Sequence, residues 1–457
     1  MGRPAKKIKI ETCIEILRDG FNKIPDPRTG FSKIGLNDFL MSSYAIFALK
    51  YPSLLNFENA MKDDHRFANL KSLFGVKQVP SDTHLRDIMD QISWVNFRPI
   101  FKKLFASIQE SKILEKFEFM RVNNRPHYLL NIDGTGYFRS EKIECNCCLN
   151  YKGTEKRKLP SFGHNMLGAS LAMPDYDVVI PLCPEPIMKQ DGTNKNDHEI
   201  LAFKRFIIDF RREHSKLDVV VGLDALYGND PCIRHLLAYD CSYIIGVKET
   251  NGTVYMQVND RDKDGSIGKL EYNYEIGDKV KKQVSHRFRF TNDVRLNQNM
   301  DSTRVNFVEF WEEITWEGKK GPEVERRHFA WITNLKVNKD TVIQIMKGGR
   351  ARWKIENENF NTLKNQGYHL EHNYGHGSEN LSINFIMMMF ISFLIDQIQV
   401  ANCMQFKKAL DRFGSKKMLW TEMVINFTRV TFKDWEQFFG VLTKELKLDT
   451  RIIFESS

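Results

Sequence analysis

Three carboxylates in this chain stand where a metal-dependent site would need them. Asp133 ends the apolar run HYLLNID, Asp224 ends LDVVVGLD, and Glu356 lies far downstream in RARWKIENENF. Side chains at the carboxyl ends of strands line the site of an α/β sheet. Hard oxygen donors in this number suit Mg²⁺, with Mn²⁺ as a substitute, because both ions take few protein carboxylates and share oxygens with phosphate. Two such ions about 3.5–4 Å apart activate a nucleophile and steady the leaving oxygen of a phosphodiester. One aspartate at a strand end is more often a turn or cap residue. It is the set of three, in a basic chain, that carries the reading.

Around Glu356, every fourth residue reads Arg352, Glu356, Phe360, Lys364. On a helix these share one slowly drifting face. The pattern predicts a helix from Gly349 to Gln366 with Gly367 as its C-cap. Trp353, Ile355 and Leu363 are its apolar anchors. The same residue types also decorate ordinary solvated helices, so this helix acquires meaning only beside the two aspartates.

The chain of 457 residues has 42% apolar and 27% charged residues, which excludes a disordered chain and allows several domains. Its formal net charge of +9 is compatible with a nucleic-acid partner. Eight unevenly spaced cysteines and a basic start without an apolar segment predict reduced thiols and a cytoplasmic protein. The run Ile383 to Val400 is long enough to span a membrane. Asn384, Asp396, Gln397 and Gln399 interrupt it and predict a buried helix and no membrane partner.

Taken in order, residues 1–127 are expected to be helical, either a DNA-end binding module or a helical accessory region. Residues 128–249 carry strands and then a strand–helix alternation, including a helix from Asn196 to His214. They form the first part of a mixed-sheet α/β core. Residues 250–335 alternate apolar and polar in VYMQV, KLEYNYEI, HRFRFT, RVNFVEFWEEITW and RRHFAWITNL, which predicts an antiparallel β insertion. Lys279, Lys281, Lys282, Arg287, Arg289 and Arg295 make it basic, as a DNA-binding face or as a solvated strand face. Residues 336–400 return to the core with the Glu356 helix, and 401–457 form a helical C-terminal region.

NIDGTGYF around Asp133, VVVGLDALYG around Asp224 and RWKIENENFNTLKNQGYHLEHNYGHG around Glu356 together resemble the DDE transposases of bacterial insertion sequences. The resemblance is to the cut-and-paste group, and it covers roughly residues 128–390. It implies an RNase H-like core interrupted by a β-rich insertion, with Asp133, Asp224 and Glu356 as catalytic metal ligands for a pair of Mg²⁺ ions. By the Tyr-Arg-Glu-Lys type signature it also implies Arg352 and Lys364 as phosphate contacts. Gly349 stands where that signature has tyrosine. Lys364 follows Glu356 by eight residues where the pattern has seven, which keeps Glu358 as a rival. The implied partners are double-stranded DNA, as terminal inverted repeats and target, and a second copy of the chain in a synaptic homodimer. Such a protein works at the bacterial nucleoid. The alternatives are a DNA-binding protein of the same fold without the chemistry, and an RNase H-like nuclease that never joins strands.

Trp353 is read as a core residue, with stacking on a displaced base as the alternative. Cys145-x-x-Cys148, with His164 and Cys183 downstream, offers zinc ligands, against reduced structural thiols. Asp197 and Glu199 precede or open a helix, where capping is the simpler role beside a share in the metal site. His372 and His376 are assigned to DNA contact or to loop packing.

Overall fold

A two-residue turn begins the sheet. Asn123 and Asn124 both have positive φ, 50° and 63°, as a type I′ hairpin requires. They fold β1 (Glu118–Val122) back onto β2 (Arg125–Ser140). The computed structural model describes residues 8–30, 32–153, 159–189, 195–278, 280–299, 301–319 and 321–446.

β2 does not stop at Asp133. It runs through the Gly-Thr-Gly segment because β4 (Ser161–Met173) pairs with it antiparallel from Leu129 to Ser140, placing Asp133 opposite Gly168. The glycines by themselves predict a turn here; pairing along a continuous neighbour overrides that tendency. β3 (Leu149–Tyr151), β5 (Tyr176–Pro181) and β6 (Glu185–Ile187) add to β4. On the other side of β2, β7 (Val219–Leu223) and β8 (Ser242–Gly246) pair in parallel, connected through α8 (Asp230–Ala238). α7 (Lys195–Glu213) precedes β7.

The insertion begins with a helix. VYMQV lies in α9 (Gly252–Lys263), not in a strand. Val254 and Val258, one helical turn apart, are buried, and the Asn251 side chain caps the first turn by accepting from Val254 N. β9 (Gly268–Ile276), β10 (Lys282–Arg295), β11 (Arg304–Gly318) and β12 (Gly321–Thr333) form the expected antiparallel meander. β12 pairs antiparallel with β8 through Trp331, Ile332 and Thr333. The insertion therefore extends the core sheet, giving among the described residues twelve strands in the order β3-β4-β2-β7-β8-β12-β11-β10-β9 with β1, β5 and β6 off that path.

Helices cover this mixed sheet. α1 (Ile10–Phe21), α2 (Leu36–Ala48), α3 (Leu54–Ala60), α4 (Asp64–Phe74), α5 (Asp82–Gln91) and α6 (Arg98–Glu110) come first. After the sheet come α10 (Val342–Ala351), α11 (Asn361–Asn365), α12 (Leu381–Asn402), α13 (Met404–Phe413), α14 (Lys416–Arg429) and α15 (Trp435–Leu442). α12 packs between β5 and α2, with 89% of its most apolar window buried. Several of its polar side chains find partners inside. Asn384 donates to the Met89 and Ile92 carbonyls at 2.6 and 2.8 Å, and Asp396 pairs with the buried Lys50 at 2.7 Å. A helix apolar on all sides belongs in a core, and here the core is the protein's own. The C-terminal helices close on the N-terminal ones. Asn69 of α4 donates to the Phe427 carbonyl at 2.8 Å, and Trp435 Nε1 donates to the Leu73 carbonyl at 3.0 Å. All eight cysteines are free.

Candidate active site

β7 pairs with β2 only as far as Asn131 opposite Gly222. Beyond that pair β2 continues with β4 on one side and, among the described residues, no strand on the other. Asp133 lies just past the end of the parallel pairing and Asp224 just past the end of β7. The two therefore flank one notch at the carboxyl ends of the parallel strands. Both line a cleft of about 590 Å³ whose far wall is the β8–α9 connection, Gly246 to Asn251.

Glu199 of α7 enters the same cleft. Its Oε1 accepts the hydroxyl of buried Tyr227 at 2.9 Å. A Cβ at position 134 would stand 2.5 Å from Glu199 Oε2. Gly134 is what lets this carboxylate approach β2. Capping is therefore not its whole role, and helix-start chemistry masks it in the sequence. The Asp197 side chain lies outside the described residues. Lys248 at the cleft wall carries no sequence signal beyond following the end of a strand, as the aspartates do.

The Asp133 carboxyl is held above the usual carboxylate range. Burial pushes it up, Arg352 pulls it down, and Asp224 and Glu199 push it up again, leaving it at about 7. Its Oδ1 accepts from Gly134 N at 2.9 Å. Arg352 Nη1 donates to its Oδ2 at 2.9 Å, and Arg352 Nη2 donates to Glu356 Oε1 at 3.0 Å. One guanidinium thus joins carboxylates 223 positions apart in the chain.

The element that delivers Arg352 and Glu356 differs from the straight helix predicted from Gly349. α10 starts at Val342 and ends at Ala351, the chain turns over Arg352 and Trp353, and a π-helical segment spans Ile355–Phe360 before α11. Single π turns are commonly found at functional sites. Gly367 follows with φ +94°, as the C-cap reading requires. Gly349 is enclosed by Trp331, whose ring atoms would lie 2.3 Å from any Cβ there. No tyrosine fits at that position. The segment is seated by Ile355 and Leu363, both fully buried, by Phe360 on Gly168, and by Asn359 Nδ2 donating to Ser170 Oγ at 2.5 Å. Asn131 of β2 anchors the end of α10 by donating to the Ala351 carbonyl at 2.7 Å. Phe360 is thus packed beneath the segment.

The remaining sequence-predicted residues separate. Trp353 is 49% exposed, not a core residue, and the Arg352 guanidinium lies 4.8 Å from its ring centre. Lys364 pairs with Glu371 at 2.8 Å and makes no described contact with the three carboxylates. Glu358 forms no ion pair among the described residues. In the insertion the basic residues do not share one face. Lys282 lies over its cross-strand partner Trp316, Arg287 over Trp311, and five residues of strand put these pairs on opposite sides. Lys281 is exposed and pairs with Glu275 at 2.8 Å. Arg289 is largely enclosed and bonded to buried Glu309 and to Asp262, which neutralises it as a phosphate contact. Lys279 lies outside the described residues.

Residues 178–394 match the family described as a transposase DDE domain. The matched stretch contains Asp224, Glu356 and the whole β insertion, and starts downstream of Asp133. No curated protein matches the chain.

Proposed function

We propose that this chain, part of which matches a transposase DDE domain, is a DDE-type transposase that cuts and joins DNA at the ends of an insertion sequence. The observation that carries the reading is the Arg352 bridge between Asp133 and Glu356, beside a cleft that Asp133 shares with Asp224. We read the parallel β2–β7–β8 unit with its antiparallel β4 neighbour as an RNase H-like core.

Asp133, Asp224 and Glu356 would hold divalent metal, with Glu199 as a further oxygen donor. The donor set fits Mg²⁺, with Mn²⁺ as substitute. It consists of hard oxygens, and burial together with the neighbouring Asp224 and Glu199 carboxylates holds Asp133 above the usual carboxylate range, which a bound cation would relieve. Two bound ions supply Lewis-acid polarisation of a phosphodiester and an acidified water. The chain's own residues set the geometry. Arg352 fixes the spacing of Asp133 and Glu356, and Tyr227 orients Glu199. Lys248 offers a cation to a phosphate at the cleft wall, and the exposed ring of Trp353 offers a stacking surface for an unpaired base. In the reaction water cleaves one phosphodiester and frees a 3′-hydroxyl, which then attacks a second phosphodiester in a hairpin or in target DNA. Arg287, with Lys281 just before the same strand, would add contacts to the DNA backbone on one face of the insertion. Terminal inverted repeats, target DNA and a second copy of the chain are the partners, at the nucleoid in the cytoplasm.

The test is to incubate the protein with Mg²⁺ and a library of candidate element ends, and to sequence the cleaved and joined products. Joined products carry the proposal. Nicked products without joining point to a nuclease, and binding without either to a protein that lacks the chemistry. Asp133→Asn and Asp224→Asn should bind ends and cleave none.

A further inference from the structure

Away from the carboxylates, four soft and borderline donors converge. Cys145 and Cys148 lie on the loop before β3, His164 on β4, and His376 in the loop that follows α11. The four ligand atoms all fall within 4.8 Å of one another. The Cys145 and Cys148 sulfurs are 3.8 Å apart. His164 Nε2 lies 3.3 Å from Cys145 Sγ and 3.5 Å from Cys148 Sγ, and His376 Nε2 lies 3.4 Å from Cys148 Sγ.

These spacings match the edges of a metal tetrahedron. With zinc–sulfur bonds of about 2.3 Å and zinc–nitrogen bonds of about 2.0–2.1 Å, a tetrahedral site has sulfur–sulfur edges of about 3.8 Å and sulfur–nitrogen edges of about 3.5 Å. The sulfur pair is also too far apart for a disulfide, whose bond is about 2.05 Å. Both imidazoles are oriented by packing. The His164 ring stacks on Tyr137 at 15° between planes, and His376 lies 4.6 Å from the Phe138 ring. Cys148 and His164 are buried, at 0% and 3% exposure. Sequence spacing points to Cys145, Cys148 and His164 but offers Cys183 as the fourth donor. Cys183 is buried elsewhere, beside the Pro184 carbonyl. The fold brings in His376 instead, across 212 positions from His164, and so assigns that residue neither to DNA nor to simple loop packing.

We infer that Cys145, Cys148, His164 and His376 form a structural zinc site separate from the catalytic carboxylates. Two thiolates and two imidazoles select zinc over Mg²⁺ or Mn²⁺. Four protein ligands close the coordination sphere, as in structural sites and unlike catalytic ones. The site's role follows from what it joins. It ties the β3–β4 edge of the sheet to the loop that leaves the Glu356 segment. The same loop is held at its far end by Asp90, whose carboxylate accepts the backbone N–H groups of Ser378, Asn380 and Leu381 at 2.8–2.9 Å. Zinc would fix the exit of the segment that carries Glu356. The proposal is independent of the reaction assigned to the carboxylates.

The experiment uses the full chain, purified without chelator. Elemental analysis should find one zinc per chain in the wild type and in Asp133→Asn. Cys147, whose thiol faces the Glu379 carbonyl at 3.4 Å, serves as control: Cys147→Ser should keep the metal, and the Cys145→Ser, Cys148→Ser double variant should lose it. Should that variant fail to fold, wild-type chain reconstituted with Co²⁺ decides, because tetrahedral thiolate ligation gives intense visible bands and carboxylate ligation gives weak ones. Zinc-free wild type without such bands, zinc retained by the double variant, or a Cys145–Cys148 disulfide in the intact mass would each overturn the site.

Discussion

Arg352 donates to Asp133 at 2.9 Å and lowers the pKa that burial raises, so the same guanidinium both positions this carboxylate and restrains its protonation. Its second contact, to Glu356, makes it the brace between β2 and the π segment. Arg352→Ala should reduce nicking in Mg²⁺ by roughly 10²-fold, the scale seen when one oriented donor leaves a preorganised site. It should also move the alkaline-going midpoint of the pH–rate profile upward, since the downward pull on Asp133 is removed. Arg352→Lys should recover little, because an ammonium lacks the planar fork that reaches two carboxylates. A wild-type rate and unmoved profile in either variant would show that the brace is ornamental.

The Asp133 carboxyl sits at about 7 in the fold against an ordinary 3.8. Between those values the folded state keeps a proton that the unfolded chain has released. Metal-free stability should therefore fall as pH rises from about 4 through about 7. Mg²⁺ binds the ionised form, so its stabilising effect should be larger at about pH 8 than at about pH 6. Thermal melts with Mg²⁺ or with EDTA at the two pH values measure this. Asp133→Asn should remove most of the difference, and equal Mg²⁺ shifts at both pH values in the wild type would contradict the assignment.

Glu356 contacts Arg352 and Glu358 does not, which favours Glu356 as the third ligand. Glu356→Gln should abolish strand cleavage, and Glu358→Gln should leave most of it. Both variants are compared on one nicking substrate, where the reverse ranking would mean that the π segment is turned the other way when DNA is bound.

Glu199 approaches β2 only because residue 134 lacks a Cβ. Glu199→Gln should raise the Mg²⁺ concentration needed for half-maximal nicking by roughly 10-fold or more, a size typical of losing a residue that supports metal ligands. Gly134→Ala should act in the same direction by displacing Glu199. A Mg²⁺ titration of the two single variants and the double variant should show less than additive effects; full additivity would mean that the two positions act separately.

In the insertion, Lys281→Ala and Arg287→Ala together should flatten the salt dependence of DNA binding, by about 0.9 in log–log slope for each phosphate left without its cation. Arg289→Ala should behave differently. It leaves Glu309 buried without one of its partners and should cost about 1–3 kcal/mol of stability. Urea melts and salt titrations separate the two effects, and a change of slope without loss of stability in Arg289→Ala would return that residue to the DNA-binding face.

Local chemistry is enough for much of this. Alternating apolar residues specify β9 to β12, apolar runs specify β7 and β8, and the acidic residues beside such runs mark Asp133 and Asp224, because strand period and strand ends are properties of neighbouring residues. Asn384 and Asp396 within an apolar run already point to a core helix, since polar side chains in such a helix need protein partners. The tertiary structure decides what depends on distant neighbours. β4 extends β2 through two glycines, Trp331 makes Gly349 obligatory, and seating on β4 accompanies the π turn that carries Glu356. Residue type alone sends Trp353 to the core, whereas its exposure depends on which way the chain turns after α10. Arg289 reads as a free cation until Glu309 on the paired strand neutralises it. Glu199 and His376 are ambiguous in sequence for the same reason: a side chain's partners across a sheet or a loop are set by packing between segments far apart in the chain, and no local pattern records them.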